Sequence, residues 1–319
     1  MNKILITGGC GFIGSHIVEK FLKEKFVVTV ADLWKSPEII DFEKKFKNLI
    51  FKKIDILEFE KLDHLIKEND YMIHMAAILG TSETITTYDI EDVIKTNVLG
   101  TTKILKMAKK YNLKKILIPT TPDVSWINPY KITKQAIEKI AQLFNNEYKL
   151  NVSCLKLGNI YGPRERWLEA KDANMNCPFN YQKVVPSFIM DTLYDKQITV
   201  YGDGLQKSEY IFVEDVVNAF YLTILAEKNF GSEVIHVGSG KNFSVIDIIE
   251  GIEKAWNRKL NKNFVDMRPG EHKIEIALNP EPMKRLINYK LKYNLIEGLK
   301  KTIPYYEKQF EIQKNNQKT

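Results

Sequence analysis

The 319 residues are 44% apolar and 27% charged, with 16 Gly and 11 Pro, the balance of a folded globular chain, which excludes collagen-like repeats, coiled-coil fibres and extended disorder. A chain of this length forms one large domain or two modest ones and needs no disulfides or metals to hold its core. Net charge is +7, yet only five of the 47 basic residues are Arg and the lysines are scattered, so a solvated lysine-rich surface is expected and nucleic acid is not an expected partner.

Cys10, Cys154 and Cys177 lie far apart without CxxC spacing, which argues against both a zinc site and a disulfide framework and for a reducing compartment. The opening MNKILITGG lacks the basic region and long apolar core of a secretory signal. No apolar run approaches the roughly 18 residues of a membrane helix, so a cytoplasmic location with no membrane partner is expected.

Apolar, β-rich runs recur from the start: Lys3-Thr7, Val27-Asp32, Leu49-Asp55, Tyr71-Ala76, Lys115-Thr121 and Asn151-Leu157 read as strands. Between them, helical spacing of apolar residues appears near Ser15-Lys25, over Glu91-Lys110 and over Tyr130-Phe144. Strands apolar along most of their length, alternating with helices, predict an α/β fold, a doubly wound parallel sheet of the Rossmann kind. After about Gly162 the regularity breaks. A Pro-punctuated stretch, a helix near Pro186-Tyr194 and a strand Ile198-Tyr201 predict a smaller α/β substrate domain over 164–210 and 241–319. The first domain then spans 1–163, with 211–240 returning to it, and Ser244-Val245-Ile246-Asp247 reads as a helix capping box. The tail Gln313-Thr319 is polar and expected to fray.

Strand Ile4-Ile6 runs into Gly8, Gly11 and Gly14 at the turn before the first helix, a GxxGxxG spacing. Glycines there allow a tight turn, close backbone approach to a pyrophosphate and packing of helix on sheet, while the helix N-terminus stabilises the anion. Asp32 ends the second predicted strand, 18 residues after Gly14, where a carboxylate would accept hydrogen bonds from an adenosine ribose and repel a 2′-phosphate. NAD is therefore the expected cofactor rather than NADP. Asp55-Ile56, ending the third strand, is placed either for adenine or as an ordinary strand-end acid and its neighbour.

Tyr130 and Lys134 stand four residues apart, one above the other on a helix face. A cation beside a phenol lowers its pKa and makes it a usable acid/base for a substrate hydroxyl. Thr121, nine residues upstream at the end of its strand, can bond the same hydroxyl.

With these residues in place, the sequence resembles the NAD-dependent epimerase/dehydratase family of extended short-chain dehydrogenases/reductases, which act on nucleotide sugars. The resemblance runs from TGGCGFIGS through His74-Met75-Ala76-Ala77, Asn97-Val98-Leu99-Gly100-Thr101 and Tyr130-Lys134 to Asn159-Ile160-Tyr161-Gly162-Pro163-Arg164, Tyr201-Gly202-Asp203-Gly204, Val213-Glu214-Asp215-Val216 and Arg268-Pro269-Gly270-Glu271. It implies catalytic roles for Thr121, Tyr130 and Lys134. Tyr130 would take the proton of the sugar C4 hydroxyl, Thr121 would orient that hydroxyl, and Lys134 would hold the nicotinamide ribose. It implies NAD contacts at Gly8, Gly11, Phe12, Ile13, Gly14, Asp32, Asp55, Ile56, Met75, Ala76, Ala77, Asn97, Tyr130, Lys134 and Leu157. Contacts to a nucleoside-diphosphate sugar fall on Thr81, Ser82, Glu83, Asp123, Asn159, Val185, Tyr201, Lys207 and Arg268, with Asn159 and Arg268 on the diphosphate. A homodimer through helices 91–110 and 130–144 also follows from it.

Two departures stand out. The family places a longer loop between the catalytic Ser/Thr and Tyr; here Pro122 to Pro129 replaces it, and Trp126 either rebuilds that wall or is a core residue. After Gln206 the family commonly has an Arg on the diphosphate, where this chain has Lys207-Ser208-Glu209. Dehydratases of the family carry Asp-Glu after the catalytic Thr, and here the pair is Pro122-Asp123. Losing the acid argues against dehydration. Asp123 could still remove a C5 proton, assist decarboxylation, or be a solvated turn residue. The expected activity is an NAD-dependent nucleotide-sugar epimerase, most plausibly a UDP-hexose 4-epimerase. A dehydratase, decarboxylase or dehydrogenase on the same scaffold and a non-catalytic NAD sensor are the alternatives.

Overall fold

The computed structural model describes residues 1–80, 83–123, 127–167, 183–267 and 277–316. In chain order the described residues form β1 (Lys3–Thr7), α1 (Phe12–Lys23), β2 (Val27–Asp32), α2 (Pro37–Lys45), β3 (Leu49–Lys53), α3 (Phe59–Lys67) and β4 (Tyr71–His74). Next come α4 (Glu83–Thr86), α5 (Ile90–Ile94), a π-helical stretch (Lys95–Gly100), α6 (Thr101–Lys110), β5 (Lys115–Thr120), α7 (Pro129–Asn146) and β6 (Val152–Leu157). They are followed by β7 (Asn159–Tyr161), α8 (Val184–Leu193), β8 (Ile198–Tyr201), β9 (Lys207–Phe212), α9 (Val213–Leu225) and β10 (Ile235–Val237). The last are β11 (Asn242–Ser244), α10 (Val245–Trp256), β12 (Lys262–Val265), α11 (Glu281–Ile287) and α12 (Leu295–Asn316).

The chain divides into two compact units, one of Met1–Leu157, Val216–Val237 and Asn279–Lys290, the other of Gly158–Asp215, Gly238–Leu278 and Leu291–Thr319. The first unit is built on a seven-stranded sheet in the order β10-β6-β5-β4-β1-β2-β3, with every pairing parallel. The order reverses direction at β1, which sets a crevice beyond the carboxyl ends of β1 and β4, where doubly wound sheets take ligands. β5 is buried along its whole length, as a central strand covered on both faces must be. Its first residue, Lys115, is 1% exposed, and its Nζ donates to the carbonyls of Thr223 (3.0 Å), Ala226 and Lys228 (3.1 Å), at and just beyond the C-terminus of α9. The cation thus completes a helix end whose last carbonyls have no intrahelical partner.

The stretch 91–110, expected as one helix, is α5, the π-helical turn and α6. The spacing of its apolar residues gives no sign of the break, which holds Asn97 and the tertiary hydrogen bonds described below. α11, assigned from sequence to the second domain, buries Met283 and Ile287 and packs on β10 in the first unit.

In the second unit, β7 and β9 pair in parallel and β9 and β11 antiparallel, while β8 and β12 form a separate parallel pair. The capping box forms as expected: Ser244 Oγ accepts from Asp247 N at 3.0 Å, and Asp247 Oδ2 accepts from Ser244 N at 2.7 Å. Glu209 is buried in β9, accepting from Gly240 N (2.5 Å) and Leu278 N (3.0 Å), and a Cβ at Gly158 or Gly238 would collide with it. Burial raises its pKa, and the backbone donors partly offset that by favouring the carboxylate.

Candidate active site

The turn after β1 is shaped by its glycines. Gly8 has φ of +68°, and a Cβ there would lie 2.6 Å from Ala76 N. A Cβ at Gly14 would overlap the Gly8 carbonyl oxygen. Gly11 differs, since a Cβ would meet only Gly8 O, at 3.3 Å. The chain's own packing thus demands glycine at 8 and 14, while at 11 it leaves the space a close-lying pyrophosphate needs. Gly11 is the N-cap of α1 with no side-chain cap, and the first turn, with Phe12 and Ile13, carries no acid, so its N–H groups suit an anion.

Asp32 closes β2 with Oδ2 accepting from Cys10 N at 2.9 Å and Oδ1 from Leu33 N at 2.8 Å, which ties the carboxylate to the phosphate loop. Burial and the Asp32 charge push the Cys10 thiol up to about 12, so it is an inert packing group. Asp55 accepts from Leu57 N at 2.9 Å, the geometry of a turn-capping acid, and the Ile56 side chain lies in the core, so an adenine contact at Ile56 would have to come from its backbone. Met75 N donates to Thr7 O at 3.0 Å, holding Met75-Ala76-Ala77 alongside the glycine turn, and Leu157 ends β6 in the same sheet. These residues fit a dinucleotide cradle.

Asn97 works by positioning. Its Oδ1 accepts from Ile78 N and its Nδ2 donates to Ile78 O, both at 2.8 Å, and Nδ2 also donates to Thr133 Oγ1 at 3.1 Å. Thr133 Oγ1 in turn donates to the Tyr130 carbonyl at 2.9 Å. Asn97 therefore clamps the segment after β4 and anchors the first turn of α7. Thr133 had no signal in the sequence beyond lying inside the Tyr130–Lys134 pair.

α7 starts where Asn128 accepts from Lys131 N at 2.8 Å and Pro129 fills the first turn, a sequence-encoded start that puts Tyr130 at the helix head. Lys134 is buried, its Nζ donating to Pro119 O at 3.2 Å and lying 5.8 Å from the Tyr130 ring centroid. Burial lowers its pKa to about 8. The phenol moves the opposite way from expectation, because burial pushes Tyr130 up to about 12 and the ammonium is aimed at Pro119 O. Lowering it calls for charge brought by bound ligands. Thr121 follows directly on β5, and the neighbouring Thr120 hydroxyl is buried with no hydrogen-bond partner among the described residues.

Asp123 is mostly exposed, but its Oδ1 lies 2.9 Å from both Lys131 Nζ and Gln135 Nε2, and the Lys131 partnership holds its pKa below the usual carboxylate value. Glu83 opens α4, while Thr81, Ser82, Trp126 and Arg268 lie outside the described residues.

In the second unit, Asn159 Nδ2 donates to Ser208 Oγ at 2.6 Å across β7 and β9. Lys207 stands opposite Ser244 on β11; the hydrogen bonds from Ser244 hold the Asp247 pKa below its usual value, and the Lys207 charge adds a smaller share. Tyr201 ends β8, and its carbonyl accepts from Gln206 Nε2 at 3.0 Å. Val185 is only 1% exposed in α8, its side chain in the core, so a substrate contact at Val185 would have to come from its backbone. Among the described residues no group of His, Cys, Asp or Glu is arranged to hold a metal, and no helix is long and apolar enough to cross a membrane.

Comparison with known proteins agrees with this geometry. The model of the NAD dependent epimerase/dehydratase family matches residues 4–238. A UDP-glucuronate 4-epimerase of Thermodesulfobacterium geofontis is 26% identical, covering 99% of each chain. A UDP-N-acetyl-alpha-D-glucosaminuronate decarboxylase of Bacillus cytotoxicus is 30% identical over 96% of this chain and 98% of its own. Among solved structures, the UDP-glucuronic acid 4-epimerase of Bacillus cereus with UDP-glucuronic acid and NAD is similar, with TM-score 0.82, 26% identity and coverage of 96% and 99% of the two chains. The UDP-glucose 4-epimerase of Thermotoga maritima, with UDP-glucose, has TM-score 0.82, 27% identity and the same coverage.

Proposed function

Because the chain belongs to the NAD dependent epimerase/dehydratase family, we propose that it is a UDP-hexose 4-epimerase working through a 4-keto sugar. The observation that carries the reading is the tether on Asp123. Elimination of water across C5 and C6 needs an acid and a base beside the ketone. Pro122 supplies neither, and the Asp123 carboxylate is occupied by Lys131 and Gln135. With elimination unsupported, the keto sugar is expected to be re-reduced at C4.

NAD, with its pyrophosphate on the glycine turn, would supply a reversible hydride acceptor for C4. Tyr130 takes and returns the C4 hydroxyl proton, Thr121 orients that hydroxyl, and Lys134, fixed by Pro119 O, holds the nicotinamide ribose and supports the phenolate. Asn159, Tyr201, Lys207 and Arg268 would hold the nucleoside diphosphate. A weaker grip is expected where Ser208, rather than an Arg, pairs with Asn159. Exposed Ile90, Ile94 and Leu99 on α5 and the π turn, and Ile132 and Leu143 on α7, support a homodimer through these helices in a cytoplasmic enzyme. Light scattering should give twice the chain mass of 37.1 kDa at micromolar concentration.

A second reading, decarboxylation through the same ketone, is favoured by the likeness to the Bacillus cytotoxicus decarboxylase. Incubating the protein with UDP, GDP, CDP and dTDP sugars and following products by NMR separates the two. The C4 epimer without net NADH supports epimerisation. A decarboxylated or 6-deoxy-4-keto sugar, or stoichiometric NADH, overturns it.

A further inference from the structure

The loop between β2 and α2 holds an ion pair that the proposed reaction does not use. Lys35, three residues beyond Asp32, places its Nζ 2.8 and 2.9 Å from the two carboxylate oxygens of Glu43 in α2 and 4.8 Å from the centroid of the Phe51 ring. In chain order Lys35 is the first cation after Asp32, the acid on which an adenosine ribose would bind. A second cation, Lys53, is the register partner of Asp32 on β3 and is exposed. A dinucleotide carrying a 2′-phosphate needs such cations to offset the Asp32 charge.

We infer that Glu43 is a specificity-determining residue for the cofactor: by holding the Lys35 ammonium it withholds the cation that a 2′-phosphate would use and adds a second carboxylate to the same loop. Asp32 and Glu43 balance Lys35 and Lys53, and replacing Glu43 by Gln leaves one net positive charge there. The inference rests on the placement of the adenosine ribose at Asp32. The pair is about one third exposed, so neither its loss nor its presence matters much for folding.

The test is equilibrium titration of the full chain with NADP and with NAD. Glu43→Gln should tighten NADP about tenfold, the size expected for removing one charge several ångströms from a dianion in a wet site, and leave NAD unchanged within about twofold. The gain should vanish when Lys35→Ala is added and shrink in high salt, which a change in loop packing would not do. Asp32→Ala is the control for the underlying placement. If Asp32→Ala relaxes the NAD preference and Glu43→Gln does not, the role of Glu43 is wrong and the ribose site stands. If Asp32→Ala changes neither affinity, the ribose is not at Asp32 and both fall.

Discussion

His74 Nε2 lies 3.0 Å from Thr101 Oγ1, and because that hydroxyl donates its own proton to Asn97 O at 2.6 Å, the imidazole is the donor between them. Nδ1 is then an acceptor, 2.7 Å from the Thr7 hydroxyl. The neutral ring, its pKa depressed to about 3 by burial, joins the end of β1 to the turn that carries Asn97. Its ordinary value of 6.5 applies in the unfolded chain, so between pH 6.5 and about 3 the unfolded state binds the extra proton. Stability present above 6.5 is therefore lost as pH falls, at up to about 1.4 kcal/mol per pH unit from this group. His74→Phe should cost about 1–3 kcal/mol near pH 7, because the Thr7 hydroxyl loses its His74 acceptor while Thr101 keeps its bond to Asn97 O, and the deficit should narrow on acidification. Urea denaturation at several pH values measures this, and a deficit constant with pH would refute it.

Tyr130→Phe should retain NAD and lose at least about 100-fold in turnover, the usual worth of a positioned acid/base. Turnover near that of the parent chain would remove Tyr130 from the mechanism.

Asp123→Asn keeps shape and hydrogen-bonding capacity while ending the charge pairing with Lys131. An epimerase should lose only a few-fold in rate, since an exposed ion pair of this kind is worth about 0–1 kcal/mol. A loss of two orders of magnitude, with KM unchanged, would show a proton-transfer role instead.

Lys115→Met tests the buried cation under α9. Three carbonyls lose their donor, of which the Thr223 carbonyl belongs to a buried residue and is least able to recruit water, so a loss of about 1–3 kcal/mol is expected with kcat unaltered. Thermal melting of the variant against the parent chain decides it, and equal stability would mean that the desolvation of the ammonium cancels what it bonds.

Much of the first unit is legible from the sequence. β1 and β2 begin and end where their apolar runs do, Gly8 and Gly14 fall where the turn requires them, and Asp32 closes β2. The helix start at Asn128-Pro129 is local chemistry and equally plain. What escapes notice depends on distant partners: Asn97 in the π turn bonds Ile78, and burial raises the Tyr130 pKa, which a four-residue spacing does not encode. β12 is short and largely exposed, with Phe264 53% accessible, so no alternation marks it. The burial of Val185 is equally invisible in the sequence, since α8 is apolar on most of its surface and its composition does not say which side chains it covers.

The π-helical turn at Lys95–Gly100 also sets where the chain tolerates a change of length. It holds about one residue more per turn than an α-helix, so deleting a single residue there would leave a regular helix of good propensity. Because the surplus residue is taken up within the turn, everything after the deletion would keep about its place relative to α5, and Thr101 would still meet His74. The same deletion in α5 or α6, where there is no surplus residue, would rotate all that follows by about 100° and advance it by about 1.5 Å. Loss of a codon is therefore expected to be less damaging inside this stretch, with Asn97 kept, than in the regular helix on either side of it.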